Sequence, residues 1–492
     1  MFTSIDEARK LPSLMRFPLL VRLSAFASSV LEAMDRNRWK CFVISLPAVI
    51  GLHIYAAGHT IRHSNQDRTR GDQGAEIWLA KTSSYYGDLW PRQSDGVRHP
   101  MWSWIARSVS HPDDQVFFTN GKWLNTAICC AFLGGLGFFA NRRIGPLACA
   151  NLLLLASLGV LMVRGTYFQP EPTYYIFSFG AMVCAWQILQ RRSWWWYPVF
   201  GVLAGFSYLS KPSFEPFLVV FAASLGLRLI LDRDLAAVPA AAAGGLAAIL
   251  LMGAMVTPLF LYKKEHFGAA TFGYPKYWMW MDDFETEAWP WQDRYPGRVQ
   301  LEMLPAAETP SARWYFQRHT ARDAMARLAT GSEEVFWRFF FPERKRPGAF
   351  VWKTQEIKKW GQPLSHRGVY LLTILALAAM LAAQSWKVVL PELIRPPNVA
   401  CLAMVVGTAA FYLLLYGWYY PIGRGDRFMG SLWIPAVFLG CVLCRWGLEV
   451  PPPGLKPLAY LFIHGLILIS LAIQGANLVF LFEAGIHLTT HN

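Results

Sequence analysis

The sequence predicts an all-α, polytopic membrane protein of about eleven transmembrane helices, with two long extracytoplasmic loops that carry short helices. Three observations carry that prediction. Hydrophobic residues make up 54% of the 492, and they are gathered into separate apolar runs of about 15 to 27 residues, the length that crosses a bilayer core. Trp and Tyr crowd the ends of these runs, as in Trp194-Trp195-Trp196-Tyr197 and Trp418-Tyr419-Tyr420, where an interfacial aromatic belt would sit. The alternating pattern of a barrel is absent, so the runs must be helices, because a chain in hydrocarbon has to satisfy its own backbone groups.

Residues 1–40 show no cleavable signal pattern. Leu19, Leu23, Phe26, Val30 and Met34 recur at helical spacing with Arg22 between them, the pattern of an amphipathic helix on the membrane face. Arg36, Arg38 and Lys40 abut the first span and place the amino terminus in the cytoplasm. The spans expected are 41–58, 124–140, 146–163, 174–190, 196–210, 213–231, 236–262, 368–384, 399–418, 428–445 and 457–483. The short loops then assigned to the cytoplasm hold Arg142-Arg143, Arg191-Arg192, Arg233, Lys387 and Arg395. The long loops 59–123 and 263–367 fall on the outer side; they too are basic, but the positive-inside rule loses force above about 60 residues. The chain therefore divides into a cytoplasmic segment 1–40, a transmembrane module 41–262 with the outer loop 59–123, an aromatic-rich outer loop 263–367, and carboxy-terminal spans 368–492. A bacterial inner or plasma membrane is the expected location.

The net charge of +14 is spread between apolar spans rather than gathered on one soluble face, which argues against nucleic acid and for membrane lipids and anionic lipid-linked substrates. All eight cysteines lie within or at the ends of apolar runs, so no disulfide framework is expected. The Cys441/Cys444 spacing has no histidine set beside it and is read as helix packing. In the second long loop, Tyr274, Tyr277, Trp278, Trp280, Trp289 and Trp291 interleave with Asp282, Asp283, Glu285 and Glu287. A helix is expected from Ser311, and a shorter one after Gly331-Ser332 running through Phe336, Trp337 and Phe340. Asp282-Asp283 reads as a solvated pair.

Charges beside spans are costly unless paired, hydrated or functional. Five groups fall on the outer face: Asp72 with Asp88 and His99; Arg164 with Glu171; Lys211 with Glu215; Lys263-Lys264; and Arg424 with Arg427. Acids and bases from distant parts of the chain thus converge on one side. When a sugar is transferred from a lipid phosphate, the phosphate leaves as an already good anion, so cations at its oxygens suffice there; Lys211, Arg424 and Arg427 are placed for that, with Arg98 and His99 as helpers. The acceptor hydroxyl needs a base, for which Asp72 is the candidate, since partial desolvation at the interface raises a carboxylate's basicity.

The run Asp72-Gln73, Tyr86-Gly87-Asp88, Pro91 and Arg98-His99-Pro100-Met101 with Trp104 resembles the first outer loop of the GT-C glycosyltransferases. It is most similar to the polyprenyl-phosphate-sugar-dependent branch that includes protein mannosyltransferases and the aminoarabinose transferase of lipid A. In that superfamily the loop begins Asp-Glu, continues to a Gly-Asp and ends in a basic-Pro-Pro-Leu motif; here Gln73 and His99-Pro100-Met101 depart from it. The resemblance implies that Asp72 is the catalytic aspartate and that Glu171, in Arg164-Gly165-Thr166-Tyr167-Phe168-Gln169-Pro170-Glu171-Pro172, is the second outer-loop acid. It also implies that Leu209-Ser210-Lys211-Pro212-Ser213 is the Lys-Pro element and Arg427-Phe428 the late Arg-Phe element. It covers about residues 40–260 and 410–445; loop 263–367 matches no part of it. Some members bind a divalent metal, for which Asp72 and Glu171 would be ligands, with no third ligand at a diagnostic spacing.

The function expected is an integral-membrane inverting glycosyltransferase that moves a sugar from a polyprenyl-phosphate donor to a glycan, lipid or protein acceptor on the extracytoplasmic face. Asp72 and Glu171 are the catalytic candidates, and Asp88, Arg98, His99, Arg164, Lys211, Arg424 and Arg427 the binding ones. The alternatives are a transporter or flippase for a lipid-linked sugar, which would carry its charges along a midplane path in repeated halves, and a ligase that moves a whole glycan.

Overall fold

A computed structural model describes residues 18–69, 71–85, 87–191, 193–233, 237–305, 307–341, 367–423, 426–451 and 454–483, and among these residues every regular element is helical. The first is the amphipathic α1, Pro18–Arg36. Its Ser24 and Ala27 face the protein, while Leu19, Leu23 and Phe26 stay exposed. Ser24 Oγ donates to the Gly454 carbonyl at 2.7 Å, and Asp35 pairs with Arg445 at 2.8 Å, so two polar contacts fasten the helix and leave its apolar edge outward.

Each of the eleven expected runs folds as a helix. They are α2 (Arg38–His63), then α5 (Asp114–Ile144), α6 (Pro146–Gly165), α7 (Glu171–Arg191), α8 (Trp196–Ser210), α9 (Pro212–Asp232) and α10 (Ala237–Phe267). In the second half come α13 (Arg367–Ala383), α15 (Pro396–Tyr419), α16 (Gly430–Glu449) and α17 (Lys456–Glu483). The intervening numbers belong to helices outside the expected spans: α3 (Gln73–Tyr85) and α4 (Met101–Ala106) in the first long loop, α11 (Ala312–Arg318) and α12 (Ala321–Phe340) in the second, and α14 (Trp386–Leu393) after α13.

Eight helices are individually long and apolar enough to cross a membrane, and a ninth is reached if α13 and α14, bent by 107°, count as one broken span. The expected eleven is thus higher than length and composition alone support. The difference lies in α7 and α8. At 15 residues, α8 is about 22 Å long at 1.5 Å per residue, short of the roughly 30 Å hydrocarbon thickness. In α7 the apolar run is diluted by Tyr174, Tyr175, Ser178, Gln187 and Gln190.

The centre of the bundle is α6, nearly all of it buried. It contains a π-turn over Ser157–Leu161, and its polar groups are used by other helices. Ser157 Oγ meets His53 Nδ1 at 2.9 Å, Asn151 Nδ2 donates to the His464 carbonyl at 2.9 Å, and Arg367 donates to the Gly159 carbonyl at 3.0 Å. Around α6 one apolar core runs from Val49 to Phe482.

The second long loop departs from expectation at Gly331. Thr320 caps α12 through a reciprocal box with Asp323, and the helix then runs 20 residues through Gly331 to Phe340. The glycine does not mark a helix start. It lets α12 lie against α15, because a Cβ at Gly331 would stand 1.9 Å from the Gly417 carbonyl oxygen. Close backbone approach explains the residue as fully as a chain break would.

Candidate functional site

Asp72 immediately precedes α3, and its carbonyl accepts the Glu76 N–H at 3.1 Å, which puts it at the helix-capping position that aspartate favours. Its carboxylate is one-third exposed (32%), and Arg98 Nη2 donates to Oδ1 at 2.8 Å. The same guanidinium binds Asp95. Asp95 in turn accepts the Val97 and Arg98 backbone N–H groups, at 2.9 and 2.7 Å, so a tight local turn aims Arg98 back at Asp72. One helical turn on from Asp72, Glu76 is buried and accepts a hydrogen bond from Ser103 Oγ at 2.6 Å. Burial pushes its carboxyl up to about 8, against the pull of Arg98.

Gln73 joins this group to the next. Its side-chain oxygen accepts the Phe168 N–H at 3.0 Å and the Asn65 amide at 2.9 Å, while its nitrogen donates to Asn65 Oδ1 at 3.3 Å. An amide both donates and accepts, which a glutamate carboxylate cannot do; glutamine is what this reciprocal pair requires. Asn125 Nδ2 donates to the Tyr167 and Gln169 carbonyls, each at 2.9 Å, and Asn65 to that of Thr166 at 3.1 Å. The 166–170 loop is thereby held against the start of α3.

That loop delivers Glu171. Pro170 and Pro172 flank it, and proline suits a helix start because it lacks the N–H that goes unused there. Glu171 is buried, and Lys211 Nζ donates to its Oε1 at 2.6 Å. The lysine is extended (φ −155°, ψ 138°) because the following Pro212 disfavours helix at the residue before it, and that break between α8 and α9 points its side chain at the acid. The Phe428 ring lies 4.7 Å from the Lys211 ammonium and stacks on Tyr416 at 4.9 Å. The short turn Asp426–Met429 that carries Arg427 therefore abuts the Glu171–Lys211 pair. Arg424 and the Arg427 side chain lie outside the described residues.

The other expected binding residues sit as follows. Asp88 is buried, takes a 2.7 Å ion pair from Arg92 and lies 3.4 Å from Ser83 Oγ; it braces the first loop. Arg164 is half-buried on the last turn of α6, just before the 166–170 loop. His99 is buried with both ring nitrogens engaged: Nδ1 lies 2.5 Å from the Tyr208 carbonyl and Nε2 3.1 Å from Lys263 Nζ. A carbonyl only accepts, so Nδ1 carries the proton and Nε2 accepts from the lysine. Burial first, and then the Lys263 charge, hold His99 well below the usual histidine range, so the ring is neutral.

The second loop docks directly on the first. Tyr274 N–H donates to the Gly96 carbonyl at 2.9 Å. Gly96 has φ +83°, and a Cβ there would meet the Tyr274 ring at 2.7 Å. The aromatic cluster of Phe267, Phe272, Tyr274 and Trp278 thus presses on the turn that holds Asp95 and Arg98. Asp282, read as half of a solvated pair, instead gathers His319 at 2.8 Å and Arg327 at 3.2 Å. Its neighbour Asp283 is an exposed helix cap on Thr286.

The structure thus brings Asp72 together with Arg98, and Glu171 with Lys211, and links the two pairs through Gln73 and Phe168. Sequence reasoning missed Asp95 and Glu76, although both stand at telling intervals: Asp95 three residues before Arg98, and Glu76 one helical turn after Asp72. Among the described residues no three His, Cys, Asp or Glu side chains group as a metal site requires. Asp72 and Glu171 are each already met by a fixed cation, so the donors present do not fit a divalent ion. Cys441 and Cys444 are buried in the apolar core. Compared with family models, with curated proteins and with solved structures, the chain matches none, so the likeness of the 72–104 stretch to a known loop rests on its own residues.

Proposed function

We propose that the chain is an integral-membrane, inverting glycosyltransferase that takes a sugar from a polyprenyl-phosphate donor and passes it to an acceptor on the extracytoplasmic face. One observation carries the reading. Carboxylates and cations from three separate parts of the chain, Asp72 and Arg98 in the first long loop, Glu171 at the start of α7 and Lys211 after α8, form two pairs that share the Gln73–Phe168 link.

In the proposed step Asp72 removes the proton from the acceptor hydroxyl as that oxygen attacks the anomeric carbon. The bond from that carbon to the phosphate oxygen breaks on the opposite side, and the lipid phosphate leaves with the electron pair. Arg98 fixes the carboxylate in position. Lys211, held by Glu171, supplies positive charge for the departing phosphate, together with Arg424 and Arg427. Positive charge placed where negative charge develops is the largest single contribution such a site can make. The aromatic second loop roofs the site and offers stacking faces to sugar rings.

The test is mass spectrometry of envelope lipids, glycans and surface proteins from cells with and without the protein. The reading expects one saccharide missing from one class of acceptor. An unchanged glycan profile, with the polyprenyl-phosphate sugar redistributed between leaflets instead, would replace it with the transporter reading.

A further inference from the structure

Lys263 lies in the last turns of α10 and is 3% exposed. Among the described residues its ammonium has one hydrogen-bond partner, the Nε2 of His99 at 3.1 Å, and no carboxylate within ion-pair distance. That partner brings no negative charge: donation from Nδ1 to the Tyr208 carbonyl fixes the neutral tautomer. The charges that act on Lys263 from farther away are Lys276, which repels it, and Glu215 and Asp95, which attract it. A buried ammonium with two N–H groups to spare and no carboxylate paired to it is costly as it stands. Placing an oxyanion against it would convert that cost into charge-assisted hydrogen bonds.

We propose that Lys263, aimed by His99, receives a phosphate oxyanion of a lipid-linked substrate. His99 follows Arg98 directly, so the proposed anion site adjoins the loop that carries the Asp72–Arg98–Asp95 group. His99 is then a positioning residue: its ring nitrogens are both engaged and it does not touch the phosphate. Lys263 is the contact. The source of the phosphate rests on the transferase reading; the presence of an anion site does not.

The experiment uses the full chain in nanodiscs, with polyprenyl monophosphate, neutral polyprenol and inorganic phosphate as probes, followed by thermophoresis and by thermal unfolding. Wild type is compared with K263M, K263R, H99Q and, as an exposed neighbour, K264M. Polyprenyl phosphate is expected to bind wild type and K264M alike, K263M at least about tenfold more weakly, and K263R close to wild type. H99Q is expected to raise the Kd for polyprenyl phosphate by less than K263M does, because it loosens the aim of Lys263 without removing the ammonium. Competition by inorganic phosphate would show that the phosphate alone is recognised, and its failure to compete would show that the chain needs the lipid as well; binding through Lys263 stands in either case.

Without probe, K263M is expected to be at least as stable as wild type, because it removes an uncompensated charge. A merely structural lysine would give the opposite sign. Wild-type affinity in K263M, or a K263M less stable than wild type without probe, overturns the proposal. Loss of phosphate binding in K263M, in a chain that transfers no sugar, would leave this inference standing and remove the transferase reading. Retained binding with retained transfer would do the reverse.

Discussion

Replacing Glu76 with Gln tests how the first loop is built. The carboxyl is buried and ionises at about 8 in the folded protein against 4.5 as its ordinary value. Between those two values the folded chain holds a proton that the unfolded chain lacks. Its contribution to stability is therefore complete below pH 4.5 and is lost as pH rises through 8, at about 1.4 kcal/mol per pH unit and at most about 5 kcal/mol in all. Glutamine keeps the shape and accepts the same bond from Ser103, yet it cannot ionise. E76Q should therefore gain on wild type as pH rises, with the gap widening by roughly 3 kcal/mol between pH 5.5 and 7.5. The assay is thermal unfolding in nanodiscs followed by intrinsic fluorescence of the 22 tryptophans across that range. Parallel curves for E76Q and wild type, with a gap independent of pH, would refute the reasoning.

Three further outcomes follow from the geometry. K211M should lower stability by on the order of 3 kcal/mol, since it takes the ammonium away from the buried Glu171 carboxylate, and the double variant E171Q/K211M should recover most of the loss; additive costs in thermal unfolding would contradict a direct pair. G96A forces a side chain into a positive-φ turn against Tyr274, at a cost of about 1–3 kcal/mol, and limited proteolysis should then cut the second long loop faster than in wild type; an unchanged rate would mean that the two loops are not docked there. G331L should separate α12 from α15 and expose α12 to the same protease, whereas S311A, at the cap of α11, should cost only about 1 kcal/mol and leave the α12–α15 contact intact.

Much of the fold was legible because the bilayer imposes one solution on an apolar run. Every expected span is a helix, and the segment around Leu19 and Phe26 folds as one helix with those side chains exposed. The span count was less legible, because α8 is short and α7 mixes tyrosines and glutamines into its apolar surface, and sequence gives no fixed threshold for either. Gly331 misled for a different reason: a glycine that precedes a helix start and one that lets two helices touch look the same in one dimension. In the site, the Asp72–Arg98 and Glu171–Lys211 pairs join residues 26 and 40 apart in sequence, so only the types of residue were visible, not their partners. The role of Gln73 was hidden in the same way, since its reciprocal bonds reach Asn65 and the backbone of Phe168. Lys263 stood out as a charge beside a span, but its lack of an anionic partner appears only once its neighbours are known.

The central claim is that Asp72 serves as the base of a sugar transfer, and single-turnover transfer in reconstituted vesicles tests it most directly. The measurement compares wild type, D72N and D72E, using a labelled polyprenyl-phosphate sugar and an envelope extract as acceptor source. D72N is predicted to unfold at the wild-type temperature and to bind donor, yet to transfer about a hundred- to ten-thousand-fold more slowly, with D72E recovering part of the rate. Transfer by D72N at the wild-type rate would contradict the account.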